Sequence, residues 1–162
     1  MPRPPLPTDV RPTLEPVLRL VAELDLSDPA AARARLEAEL PLDSPAVRAI
    51  RAMVERGLAE GWLCPRQNGD IQYGRVFKAS EDTHGLGVDA VHMSSPGPGH
   101  LHPSGEVDLC FALDGSPTFD GNPPGWTVYA DGSWHVPTVT GGTMAILYFL
   151  PDGAIHFGPR PD

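Results

Sequence analysis

His100 and His102 stand one residue apart, Pro103-Ser104-Gly105 follows, then Glu106; His135 comes later, after Gly132-Ser133-Trp134. Imidazole nitrogens and a carboxylate are ligand types for a divalent metal ion, among them zinc, iron and manganese. Alternate side chains of a strand share a face, so His100 and His102 can aim two nitrogens at one point. The Pro-Ser-Gly stretch is turn chemistry that lets the chain reverse and return Glu106 on the neighbouring strand. His135 must then arrive from a distant strand, as it can in a small barrel whose inward positions share one interior. Exposed strand histidines and turn glutamates are common singly. Their combination favours a metal site over structural or substrate-binding histidines.

Two further strands carry polar groups on a patterned face. In the segment 71–77, alternation places Arg75 with Ile71, Tyr73 and Phe77. A guanidinium among apolar side chains needs an anion, either a substrate carboxylate met by its planar fork or an Asp or Glu of the chain. In 106–111, Glu106, Asp108 and Cys110 share one face and Val107, Leu109 and Phe111 the other. If Glu106 points inward, Asp108 can orient a ligand histidine or move protons; a solvated or salt-bridged role is the alternative. His84, His92 and His156 read as hydrogen-bonded structural residues.

The elements that must position these groups change character near residue 62. Leu14, Val17, Leu18, Val21 and Leu24 recur at helical spacing, Asp28-Pro29 opens a second helix over 30–40, and Ser44-Pro45 opens a third with Val47, Ile50, Val54 and Leu58 on one face. Gly57 or Gly61 ends it. Short apolar runs punctuated by Gly, Pro, Asp and Asn then predict strands over 71–78, 86–93, 100–102, 106–113, 117–119, 127–130, 134–136, 143–150 and 154–157. The organisation expected is a helical segment over 1–61, for packing or dimerisation or as a lid, and a β-barrel domain over 62–162.

The chain has 162 residues and a formal charge of −9 with no basic stripe, which argues against binding nucleic acid through phosphates. The start, Met1 to Pro7, lacks the apolar core of a secretion signal, and no apolar run could span a bilayer, so a cytoplasmic location and no membrane partner are expected. Cys64 and Cys110 form no Cys-x-x-Cys pair and are read as two reduced thiols. Exposed apolar helix faces favour a homodimer.

The run from Gly99 to Glu106 resembles the first motif of the cupin superfamily, and Gly132-Ser133-Trp134-His135 the second, with Ala130 where proline is usual and Val139 where asparagine is frequent. That resemblance implies a mainly β, cupin-like double-stranded β-helix, a jelly-roll barrel. A closer resemblance covers most of the chain. The segments Gly61-Trp62-Leu63-Cys64, Gly74-Arg75-Val76, Thr83-His84-Gly85, His102-Pro103-Ser104-Gly105-Glu106-Val107-Asp108-Leu109, Pro137-Thr138-Val139-Thr140-Gly141-Gly142 and Tyr148-Phe149-Leu150-Pro151-Asp152-Gly153-Ala154-Ile155 are similar to the 4-hydroxylaminobenzoate lyase family. The resemblance implies conversion of 4-hydroxylaminobenzoate to 3,4-dihydroxybenzoate (protocatechuate) and ammonia. For that chemistry His100, His102 and His135, with Glu106, would hold a divalent metal or, in a metal-free site, the histidines would supply hydrogen bonds directly, and Glu106 or Asp108 would exchange protons. Arg75 would take the substrate carboxylate, and Tyr73, Trp126, Tyr129, Trp134 and Tyr148 are candidates for the aromatic walls. A cupin dioxygenase and a non-catalytic aromatic-acid binder share the same ligand pattern.

Overall fold

Helix α1 (Val10–Glu23) forms where Leu14, Val17, Leu18 and Val21 stack on one side, and all four are buried. Proline-led starts set the next two helices. In α2 (Pro29–Glu39) the Asp28 carboxylate accepts the Ala31 N–H at 3.2 Å, and in α3 (Pro45–Glu60) the Ser44 hydroxyl accepts the Val47 N–H at 3.4 Å. Gly61, at φ 82°, closes α3 in the left-handed region that glycine enters without strain. These features come from a computed structural model describing residues 4–162; residues 1–3, the first part of the segment Met1 to Pro7 that lacks the apolar core of a secretion signal, lie outside the described residues.

Nine strands follow among the described residues: β1 (Arg66–Asn68), β2 (Ile71–Phe77), β3 (Leu86–Met93), β4 (His100–His102), β5 (Glu106–Phe119), β6 (Gly125–Tyr129), β7 (Ser133–His135), β8 (Val139–Pro151) and β9 (His156–Phe157). They form two antiparallel sheets, one in the order β1-β2-β3-β8-β5-β6 and one in the order β7-β4-β9. Side chains of the two sheets meet across an interior, as the expected jelly-roll architecture requires. Alternation along β5 sorts that interior from the helices. Val107, Leu109 and Phe111 join α1, α2 and α3 in one core, while Cys110 joins Met144, Ile146 and Tyr148 in the other. The helices therefore cover the face of the large sheet opposite the histidines and do not close over them.

Several strands differ from their sequence expectation. The segments 106–113 and 117–119 are one strand, β5, paired with β8 through irregularities at Ala112/Asp114 and Gly115/Thr118. Glycines allow this long pairing: a Cβ on Gly142 would lie 2.2 Å from the Asp114 carbonyl oxygen. Glu106 comes back beside His100 and His102, but from the facing sheet and not from a strand paired with theirs. The turn after His102 crosses between sheets, and Gly105 sits in it at φ 89°, where a side chain would be strained and its Cβ would lie 3.0 Å from the Tyr129 carbonyl oxygen. A further irregularity between Arg75 and Phe77 turns Phe77 toward the helix-side core, away from the face of Ile71, Tyr73 and Arg75. Cys64 and Cys110 form no disulfide, and no helix among the described residues is long and apolar enough to cross a membrane.

Leu109 is fully buried between β5 and the helices. Leu109→Ala is expected to lower unfolding free energy by about 2–5 kcal/mol in urea titrations, since burial and cavity terms add.

Candidate metal centre

Strand pairing assembles the four predicted ligands from two sheets. His100 lies opposite His135 across β4 and β7, and His102 lies opposite Ser133. Glu106 opens β5 on the facing sheet. His100 Nε2 is 3.3 Å and His102 Nε2 3.2 Å from the Glu106 carboxylate, His135 Nε2 is 3.5 Å from it, and His135 Nε2 is 3.0 Å from His100 Nε2. One ligand atom from each residue lies within 4.8 Å of all the others.

The outer nitrogens explain why the inner ones are available. His100 Nδ1 lies 3.3 Å from the Pro98 carbonyl, an acceptor. The Ser133 hydroxyl donates to the Ala130 carbonyl at 2.5 Å and so accepts from His102 Nδ1 at 2.9 Å. His135 Nδ1 donates to the Asp120 carboxylate at 2.7 Å. With each Nδ1 bonded outward, Nε2 is the inward atom of each ring, the one that gives its lone pair to a metal once His135 has released its second proton. His102 Nε2 and both Glu106 oxygens are buried without a hydrogen-bond partner. Lone pairs facing one another around a buried carboxylate call for a cation, so the residues fit a divalent metal.

Electrostatics point the same way. Burial alone would raise the Glu106 carboxyl, but His100, His102 and His135 outweigh it and hold it well below the usual carboxylate range. Burial alone would lower His135, but the Asp120 and Glu106 carboxylates outweigh it and push it up to about 9. Asp108, fully buried with both oxygens unpartnered, is driven well above its ordinary value by burial and by the Glu106 charge. It is the carboxyl that keeps its proton while Glu106 is ionised.

Asp120 escaped the sequence analysis, where its only signal is the Asp-Gly turn pair. It sits at φ 49° beyond β5, accepts from His135 and the Thr138 N–H at 2.8 Å, and takes the Tyr129 hydroxyl hydrogen. Tyr129 is accordingly a support behind the cluster, its ring 4.2 Å from His135 and 5.4 Å from His102, and does not line the adjoining cleft. Trp134 is also away from the cleft: between Ser133 and His135 it points to the outer face, where its indole donates to the Gly158 carbonyl at 3.0 Å. Trp126 is buried and donates to the Leu40 carbonyl at 2.7 Å.

A cleft of about 990 Å³ opens beside the cluster, lined by His100, Tyr73, Arg75, Tyr148 and, unanticipated, Phe157. Arg75 is paired with Asp89 directly across the strands, the ion-pair alternative considered for it, and reaches the Gly153 carbonyl at 3.4 Å. Of the remaining histidines, His84 meets Glu15 of α1 at 2.8 Å, fastening the loop before β3 to the helices.

In the metal-free protein His135 holds a proton up to about 9, and zinc must displace it. Zinc affinity, read by competition with a chromophoric chelator, is expected to rise about tenfold per pH unit from 7 toward 9 and then level off. Asp120→Asn should weaken zinc binding about 10–100-fold and move the levelling-off to lower pH.

The sequence model of the family described as PnbB, 4-hydroxylaminobenzoate lyase, matches residues 14–157. A 4-hydroxylaminobenzoate lyase of Pseudomonas putida is 30% identical over 67% of this chain and 72% of its own length. One from Nocardioides sp. strain LMS-CY is 28% identical over 69% and 72%. Among solved structures, an RmlC-like cupin protein from Ralstonia eutropha is 15% identical with a TM-score of 0.42, over 59% of this chain and 64% of that one. The match across the helices, both sheets and all four ligand residues makes the chain a member of the 4-hydroxylaminobenzoate lyase family.

Proposed function

We propose that the protein converts 4-hydroxylaminobenzoate and one water into 3,4-dihydroxybenzoate and ammonia. The observation that carries the reading is the buried cluster of His100, His102, Glu106 and His135, reached through His100 from an aromatic-lined cleft in a chain of this family. The reaction balances without an external oxidant. Protonation of the hydroxylamine oxygen lets it leave as water, a second water adds to the adjacent ring carbon, and the resulting ring imine is hydrolysed to release ammonia before the ring regains aromaticity.

A zinc, iron or manganese ion held by the four ligands would supply Lewis-acid polarisation of oxygen. The chain's own groups do the rest. Tyr148, buried under the cleft with its ring 6.0 Å from that of His100, and Tyr73 at the mouth provide faces for the substrate ring. Asp108, two residues beyond Glu106 on the same face of β5, is fully buried and does not line the cleft; the proton it holds reaches the leaving oxygen by way of the Glu106 carboxylate, which also anchors the cluster. The Arg75–Asp89 pair lies in the cleft and marks its charged end.

Anaerobic incubation of the metal-loaded protein with 4-hydroxylaminobenzoate is expected to yield 3,4-dihydroxybenzoate and ammonia in equal amounts by chromatography. Consumption of the substrate only in the presence of oxygen would sink the reading. Asp108→Asn should lower kcat about 10²–10⁴-fold while leaving metal content, measured on the same sample, unchanged. Arg75→Met should cost about 1–3 kcal/mol of stability in a denaturant titration, because it leaves Asp89 half-buried without its partner.

A further inference from the structure

The β2 irregularity re-aims one side chain. Arg75 pairs with Asp89 and Phe77 with Val88, so Val76 and Phe77 together oppose a single residue, a β-bulge. Before it Ile71, Tyr73 and Arg75 line the cleft; after it Phe77 packs toward the helices and Lys78 joins the cleft wall. Without the bulge Lys78 would fall on the face of Gly74 and Val76. Lys78 is the only lysine in the chain. It is exposed and makes no hydrogen bond or ion pair among the described residues.

The cleft also inverts the charge of the protein. On a chain of formal charge −9, the cleft's ionised side chains are Arg66, Arg75 and Lys78 against Asp89 alone. Such a lining attracts an anion into a site whose walls are otherwise largely apolar and aromatic. Arg75 is already held by Asp89 and the Gly153 carbonyl, and its guanidinium lies over Gly87, where an added Cβ would come within 3.3 Å of Nη1. Three strand spacings, about 14 Å, separate β2 from β5 and Glu106. A lysine side chain and a para-substituted benzoate laid end to end suit that span.

We propose that Lys78, turned into the cleft by the bulge, is the specificity-determining residue that captures the substrate's carboxylate. Arg75 holds the cleft floor through Asp89 and is not the direct partner. The assignment rests on the proposed lyase reading for the identity of the anion, an aryl carboxylate, and its test separates the two.

Calorimetry on the metal-loaded protein compares 4-aminobenzoate with its neutral amide, 4-aminobenzamide, for the unaltered chain, Lys78→Met and Lys78→Arg. Lys78→Met is expected to bind the acid about tenfold more weakly, with Lys78→Arg recovering most of the loss and the amide indifferent to both changes. In turnover of 4-hydroxylaminobenzoate the same substitution should raise KM about tenfold and leave kcat within about twofold. Unchanged acid binding in Lys78→Met, an equal loss for the amide, or no binding of the acid by the unaltered chain would overturn the assignment. Lysine-dependent binding of the acid without turnover by the unaltered chain would support Lys78 and overturn the lyase reading.

Discussion

A buried carboxylate ringed by imidazole lone pairs is stable only with positive charge among them, and much of this structure follows from that requirement. Glu106 has no exposed surface, and His100, His102 and His135 converge on it from the other sheet. When no metal ion is bound, a proton on His135 supplies the charge, held by Asp120 on one side and Glu106 on the other. A divalent ion replaces that proton and satisfies all four groups together. The carbonyls of Pro98 and Ala130, the Ser133 hydroxyl and the Asp120 carboxylate all serve the same end by fixing which nitrogen of each ring faces inward.

The sheets and helices divide the work by face. From Glu106 to Phe111 the pleat of β5 alternates between Glu106, Asp108 and Cys110 in the interior and Val107, Leu109 and Phe111 against the helices, so chemistry and stability occupy opposite sides of one strand. The helices supply much of the burial that a small barrel lacks, without touching the cleft side of the sheet. Local departures from regular pairing refine the site: the turn at Gly105 changes sheets between the histidines and Glu106, and the β2 bulge changes which side chains border the cleft.

Much of this was legible in the chain. The helical starts at Asp28-Pro29 and Ser44-Pro45 and the inward triplet Glu106, Asp108 and Cys110 each rest on short-range rules, capping chemistry and pleat alternation, and the structure contains them. The His-x-His pair likewise shares a face. The same alternation carried through Phe77 assigned it the wrong face, because a bulge leaves no distinct mark in the sequence 71–78. Asp120 was invisible for a related reason: its value lies in facing His135 across a turn, fifteen residues along the chain.

The sequence by itself determined the ligand types, the periods of the elements and the order in which they occur, since these depend on residues near one another in the chain. The tertiary structure alone decided that Arg75 meets Asp89, that Trp134 faces outward while His135 faces in, that Tyr129 braces the ligands, and that Lys78 borders the cleft. Each of those outcomes depends on which strands lie side by side and in what register. A one-residue slip in pairing exchanges the two faces of a strand, and register is set by packing over the whole molecule.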